Sequence, residues 1–380
     1  MEPESHSPAN QKSSNPSDHI LNPLKASHAN WDAGHELHGL EWVLTGPHGL
    51  RVGWAVLLFA SLYYIFELVV GTVFYSAGLV ADSGDNSANA VFLSELVPFL
   101  ALGAATILMA LFESRRVSSY YLAGRQMFWR FVSGTATGFF ALSILVALLD
   151  WCGWLHIVPT ALPIVQSFHS AAIWGCAFLL VGLVEEGLFR CYPLFTLTKG
   201  ISFWWALAAQ AAACSYLALK GGGVGAWGVY LAAAVGIIPC FALHIKSGAR
   251  SAFWQAAWVT STIFGLYHTW NSGENWIGIF AASFIGFVFC VSVRLTGSAW
   301  WAIGCHASWD WAETYFYGTA DSGIQGQGHL LFATPTGNAL WSGGTDGPEG
   351  SPLVIGVILV LLLILILTYG RSKERVSVES

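Results

Sequence analysis

Beyond Arg51 the polar positions are too sparse to mark an amphipathic helical stripe or a strand alternation, and apolar residues come in long runs instead. A helix needs roughly 20 apolar residues to cross a hydrocarbon core about 30 Å thick. Ten runs at or near that length are predicted as spans, at about 52–79, 91–112, 131–150, 171–197, 202–219, 226–244, 252–271, 275–293, 298–317 and 353–369. The expected fold class is all-α, a polytopic transmembrane helical bundle of about ten spans. The pair 202–219 and 226–244 is the weakest, because GGGVGAWG between them also suits a re-entrant turn.

The remaining segments set the expected organisation: a polar, His-rich cytoplasmic tail over 1–50, a membrane domain over 51–317, a Gly-rich non-cytoplasmic loop over 318–352, and over 353–380 a last span with a short basic tail. The tail starts MEPESHSPAN, acidic and without an apolar run, and does not read as a secretory signal peptide. It holds His6, His19, His28, His35, His38 and His48. Only His35 and His38 are closely spaced, so a solvated tail is expected rather than a metal site. The seven Cys all lie in or beside apolar stretches and none forms a CxxC pair, so they are expected as buried small residues.

Composition excludes the ordinary soluble enzyme. Charged residues make up 10% of the chain and hydrophobic ones 55%, against roughly 25% charged in soluble domains. Mean hydropathy is +0.57. A net charge of −6, with Lys and Arg scattered, excludes nucleic acid as a partner and leaves the lipid bilayer. The positive-inside rule then tests the span count. With ten spans and the N-terminus inside, 15 of the 16 Lys and Arg fall on the inner half, and Lys220 is left outside. The opposite loops carry Asp82, Asp85, Glu274, Asp321, Asp346 and Glu349. Both termini are therefore expected in the cytoplasm.

An ionisable side chain inside a span costs at least a few kcal/mol, so it marks a functional site by default. Glu67 and Glu95 stand alone in the first two spans and are expected to face a neighbouring helix or an interface. Three other spans carry patterned sets. VGLVEEGLFR places Glu186 four residues before Arg190, the favourable order for a helical ion pair. Glu185 then points about 100° away and needs another partner or a chemical role. STIFGLYHTWN sets Phe264 one turn before His268, and AIGCHASWDW puts His306 and Asp310 on one helix face, where the acid can fix a His tautomer. At about 1.5 Å per residue, Glu185, His268 and His306 lie roughly 21, 27 and 18 Å from the inner-side residues Lys199, Arg250 and Arg294, so they can meet near mid-membrane. Residue types and spacing leave catalysis, proton or ion transport, and a purely structural role open.

In order, EExxxR, FxxxH and HxxxD on successive membrane helices resemble the signature of the CPBP family, the CAAX proteases and bacteriocin-processing (Abi) proteins, which include the type II CAAX prenyl endopeptidases. The motifs cover roughly residues 115–317, with an insertion near 200–250. The resemblance implies an intramembrane endopeptidase acting on a membrane-associated peptide or lipidated protein. In that reading Glu185 and His268 activate water, Glu186 and Arg190 support them, and His306 and Asp310 stabilise the oxyanion or help hold a metal. The cofactor it implies is zinc on Glu185, His268 and His306, beside a metal-independent, glutamate-dependent alternative. A silent scaffold or proton-coupled transporter is the competing reading of the same charges.

The chain departs from the family pattern in three places. Cys191 stands where Gly is common. Asp310 stands where the prenyl endopeptidases carry Asn, and an acid donates a hydrogen bond only when protonated. The distance from Glu186 to His268 is also long. The intervening SFWWALAAQAAACSYLAL weakly echoes AFWQAAWVTSTIFGLYH, with Ala218 in place of His268 and Cys214 in place of Phe264, and is expected to be a catalytically blank helix pair. The loop 318–352, with nine Gly, is expected as a connector, and His329 within it as solvated.

Overall fold

A computed structural model describes residues 44–46, 49–79, 84–124, 126–220, 225–247 and 251–370. The histidines of the tail, Asp82, residues 221–224, and Lys12, Lys25, Arg125, Arg250, Arg371, Lys373 and Arg375 lie outside these residues.

Among the described residues, ten helices coincide with the ten predicted spans: α1 Val52–Ser76, α2 Ala88–Phe112, α3 Met127–Trp151, α4 Ile164–Leu197, α5 Phe203–Lys220, α6 Gly225–Ser247, α7 Ser251–Tyr267, α8 Trp276–Thr296, α9 Trp300–Trp311 and α10 Leu353–Tyr369. The chain is an all-α membrane bundle. Five of the helices, α1 to α4 and α8, are by themselves long and apolar enough to cross a membrane. Helix is the required state here, because a backbone in hydrocarbon must satisfy its own hydrogen bonds. Local signals set several ends. Ser87 caps α2 by accepting from the Ala90 amide. Asn275 caps α8 by accepting from the Ile277 and Gly278 amides. Gly297 closes α8 in the left-handed region at φ 70°.

Loop contacts sort the helix ends into two sets. Glu113 after α2 accepts from Lys199 after α4 at 3.1 Å. The Ala299 amide before α9 donates to the Tyr121 carbonyl before α3 at 2.8 Å, and Ser133 at the start of α3 bonds Tyr369 at the end of α10 at 2.8 Å. At the other end, the Gln327 amide donates to the Asn86 carbonyl before α2. Strand β1, Leu155–Pro159, pairs antiparallel with β2, Leu331–Pro335, in the register Leu155↔Pro335 to Pro159↔Leu331. The described basic loop residues thus gather at one end and the loop 318–352 at the other, as ten alternating crossings require.

Hydrophobic burial supplies little drive between helices already in lipid, so close packing has to hold them together. The tightest crossing is α3 on α9. A Cβ at Gly134 would meet the Trp301 carbonyl, and one at Gly138 would meet the Cys305 carbonyl. Gly304 on α9 approaches the Phe131 carbonyl in the same way. Gly134 and Gly138 form a GxxxG pair that lets the two backbones touch, which fixes the helix carrying His306 and Asp310. By contrast, α1 buries only Ala55, Phe59 and Tyr63 and leaves Leu57, Ile65, Leu68 and Val73 outward, as a lipid-facing helix does.

Three expectations change here. Cys191, Cys240, Cys290 and Cys305 are buried, but Cys152 and Cys176 are exposed at the surface of the bundle. The loop 318–352 is more than a connector. It contributes β2, packs its Pro348–Gly350 turn on α8, and sends Asp321, Ser322 and Glu349 into the cavity described below. His329 is half-buried, stacked on Phe332 at 5.2 Å, and burial pushes its pKa down.

Candidate active site

The first motif lies where α4 changes its winding. Glu185 and Glu186 end the regular α-helical part, and Gly187–Cys191 form a π-helical turn before the chain resumes as α-helix at Tyr192. Such turns arise at functional sites because they reset which side chains face inward. Glu186 is fully buried and doubly engaged: Oε1 accepts from Arg190 Nη1 at 3.2 Å and lies 2.9 Å from His306 Nδ1. Arg190, also fully buried, is held in an aromatic box, with its guanidinium carbon 4.0 Å over Phe264 and 5.5 Å over Phe289. The box has room only because residue 286 is Gly; a Cβ there would strike Arg190 Nη2.

His306 joins the motifs. With Nδ1 directed at Glu186, its Nε2 faces Glu185 Oε2 and Asp310 Oδ2, each at 3.6 Å. A carboxylate on Nδ1 places a proton there and presents Nε2 to the cavity. The ring stacks on Phe289 at 5.7 Å and meets Phe264 edge-on at 5.9 Å, so its orientation is set by packing as well as by charge. Glu185 is the uncommitted member: its buried Oε2 has no hydrogen-bond partner.

His268 sits in the 3-10 turn that continues α7, with Nδ1 2.9 Å from the Phe264 carbonyl. Only a protonated Nδ1 can donate to that oxygen, which leaves Nε2 an acceptor. Glu185, His268, His306 and Asp310 all line one cavity of about 740 Å³. The inserted helices α5 and α6 stay outside it, against α7, where Gln210 Nε2 donates to Thr262 at 2.9 Å and Trp258 Nε1 to the Gly236 carbonyl at 2.9 Å. His268 therefore occupies the position beside the other motifs, and neither Ala218 nor Cys214 reaches the cavity wall.

Several lining groups went unassigned in the sequence. Glu67, Glu95, Tyr63 and Tyr267 share the cavity with Glu185, as do Asp321 and Glu349 from the loop. Glu67 and Glu95 were visible as intramembrane acids, but each stands alone in its span and offers no spacing from which to infer a partner.

The donor set expected for zinc does not converge. Among the described residues the ligand atoms that come within 4.8 Å of one another in a group of three are those of Glu313, Asp321 and Glu349. Glu185, His268 and His306 make no such group, so as their side chains stand they do not enclose one ion, for which Zn–N and Zn–O bonds of about 2.0–2.2 Å are needed.

Residues 242–312 match the family model described as type II CAAX prenyl endopeptidase Rce1-like. This stretch of the polytopic membrane bundle is thus similar to that family, which agrees with the resemblance of the motifs. The matched stretch includes His268, His306 and Asp310 and begins after Glu185, Glu186 and Arg190, which the fold brings alongside. No curated protein and no solved structure matches the chain.

Proposed function

We propose that the chain is an intramembrane endopeptidase that hydrolyses a peptide bond of a membrane-associated or lipidated protein by CAAX-type processing. The observation that carries this reading is the division between the two adjacent acids. Glu186 Oε1 is held by both Arg190 and His306, whereas Glu185 Oε2, on the cavity wall, makes no hydrogen bond and only faces His306 Nε2 at 3.6 Å. Glu185 acts as general base: it takes a proton from a water whose oxygen adds to the scissile carbonyl, and it returns that proton to the departing amine. His268, an acceptor at Nε2, orients the water. His306, when protonated at Nε2, donates to the tetrahedral oxyanion, and the low dielectric strengthens that contact. Asp310 and Glu186 are positioning residues that act through His306. These steps run on the chain's own groups. Zinc on Glu185, His268 and His306 requires the three donors to draw closer together.

The test uses the purified full chain in detergent with a fluorogenic farnesylated CAAX peptide, and wild type beside Glu185→Ala and His268→Ala. Cleavage by wild type alone supports the reading; equal cleavage by Glu185→Ala sinks it. Activity that survives a chelator supports the metal-independent route, and loss restored by zinc replaces it with the metal one. We also place both termini in the cytoplasm, on the distribution of Lys and Arg; a reporter fused after residue 345 should report the outer side.

A further inference from the structure

We infer that Glu313, Asp321 and Glu349 form a binding site for a hard divalent cation of the calcium class, made of residues other than the proposed catalytic ones although two of them line the same cavity, that fastens the loop 318–352 to the end of α9. One carboxylate oxygen from each residue lies within 4.8 Å of the other two. Oxygens bound to calcium at about 2.3–2.6 Å stand at most about 5 Å apart across the ion, so the separation suits one shared ion. The donors come from distant parts of the chain: Glu313 from the π-helical turn Ala312–Tyr317 that extends α9, Asp321 from the strand Ala320–Asp321, and Glu349 from the turn Pro348–Gly350.

Glu313 itself points to a ligand. Its side chain is fully buried, Oε2 accepts from Trp309 Nε1 at 3.1 Å, and Oε1 has no partner. That free oxygen faces Gly347, where an added Cβ would lie 3.3 Å from it, at the start of the turn that carries Glu349. A buried, unpaired carboxylate oxygen is costly, and a cation removes the cost. The other two acids are half satisfied by neutral donors: Thr314 Oγ1 donates to Asp321 Oδ2 at 3.1 Å, and Ser322 Oγ to Glu349 Oε2 at 3.1 Å. Each thus keeps one oxygen for another partner. No countercharge is near in sequence, since residues 318–352 contain no Lys or Arg. An all-oxygen set selects calcium or magnesium over zinc, and the separation favours the larger ion.

The experiment uses the purified full chain in detergent, stripped with chelator and titrated with calcium alone by equilibrium dialysis. Wild type should bind one calcium saturably, with Kd between about 10⁻⁶ and 10⁻³ M. Asp321→Asn and Glu349→Gln should each weaken binding by about tenfold or more, while Glu185→Ala binds as wild type does. Calcium should also protect the loop 318–352 of the wild type from proteolysis, a readout that needs no variant. Absence of saturable binding up to about 5 mM calcium, or unchanged affinity in both loop variants, overturns the site. Because Glu185→Ala removes the proposed catalysis and not the cation, failure of one reading leaves the other standing.

Discussion

The Arg190 guanidinium carbon stands 4.0 Å over the Phe264 ring, so the basic end of the first motif rests on the aromatic start of the second. The same guanidinium holds Glu186 at 3.2 Å with both side chains fully buried. Removing one partner of such a pair leaves an uncompensated buried charge and costs about 3–5 kcal/mol. Arg190→Ala should therefore lower thermal stability in detergent by that amount and abolish cleavage. Arg190→Lys keeps the charge but not the planar stacking group, and should fall between the two. Wild-type melting of Arg190→Ala would show the pair to be ornamental.

The two adjacent glutamates should fail differently. Glu185→Gln removes the base but keeps the shape, so cleavage should drop by about 10²–10⁴ with the melting temperature unchanged. Glu186→Gln keeps an acceptor oxygen but removes the negative charge that faces both Arg190 and His306, so cleavage and stability should fall together. Single-turnover cleavage and thermal unfolding of both variants give the comparison. Matching profiles would contradict the division of labour.

The inserted pair α5–α6 packs outside the cavity, which makes a restoration experiment informative. His268→Ala combined with Ala218→His should remain inactive, since position 218 is absent from the wall that carries Glu185 and His306. Recovered cleavage would mean that the first copy can take the place of the second.

Much of this arrangement was legible in the residues alone. The ten crossings followed from the apolar runs and from the segregation of Lys and Arg, and the Glu186–Arg190 and His306–Asp310 pairs followed from four-residue spacing, because one helical turn makes those side chains neighbours. What spacing cannot supply is a partner on another helix. Nothing in VGLVEEGLFR shows that His306 takes Glu186 at one nitrogen and faces Glu185 with the other. The pairing of Leu155–Pro159 with Leu331–Pro335 was equally hidden, since neither strand contains its complement and the loop between Tyr317 and Leu353 read as filler.

That loop should respond to pH. Glu274 and Asp346 both crowd Gly278, where an added Cβ would meet Asp346 Oδ2 and Glu274 Oε1. Burial, with Asp346 adding repulsion, raises the Glu274 pKa to about 9; burial, with Glu349 adding repulsion, raises that of Asp346 to about 8. The facing amides act the other way: Asn271 Nδ2 donates to Glu274 at 3.4 Å, and the Asn275 backbone to Asp346 at 3.1 Å. The folded chain binds these protons more tightly than the unfolded one. Their stabilisation is therefore complete below the unfolded carboxylate range, near pH ~4, and is lost as pH rises through the folded values. In chelator, the melting temperature should decline between about pH 5 and 9, and Glu274→Gln should flatten the decline. A level wild-type profile would refute it.

The glycine-mediated contact of α3 with α9 has a mechanical consequence. His306 and Asp310 ride on a helix whose backbone touches its neighbour at Gly134, Gly138 and Gly304, leaving no soft side-chain layer through which it could shift. The opposite wall is built differently. Glu67 projects from the part of α1 that follows its last buried residue, Tyr63. The cavity thus has one wall locked by backbone contact, which carries His306 and Asp310, and another in which Glu67 stands on a helix that turns most of its surface to lipid.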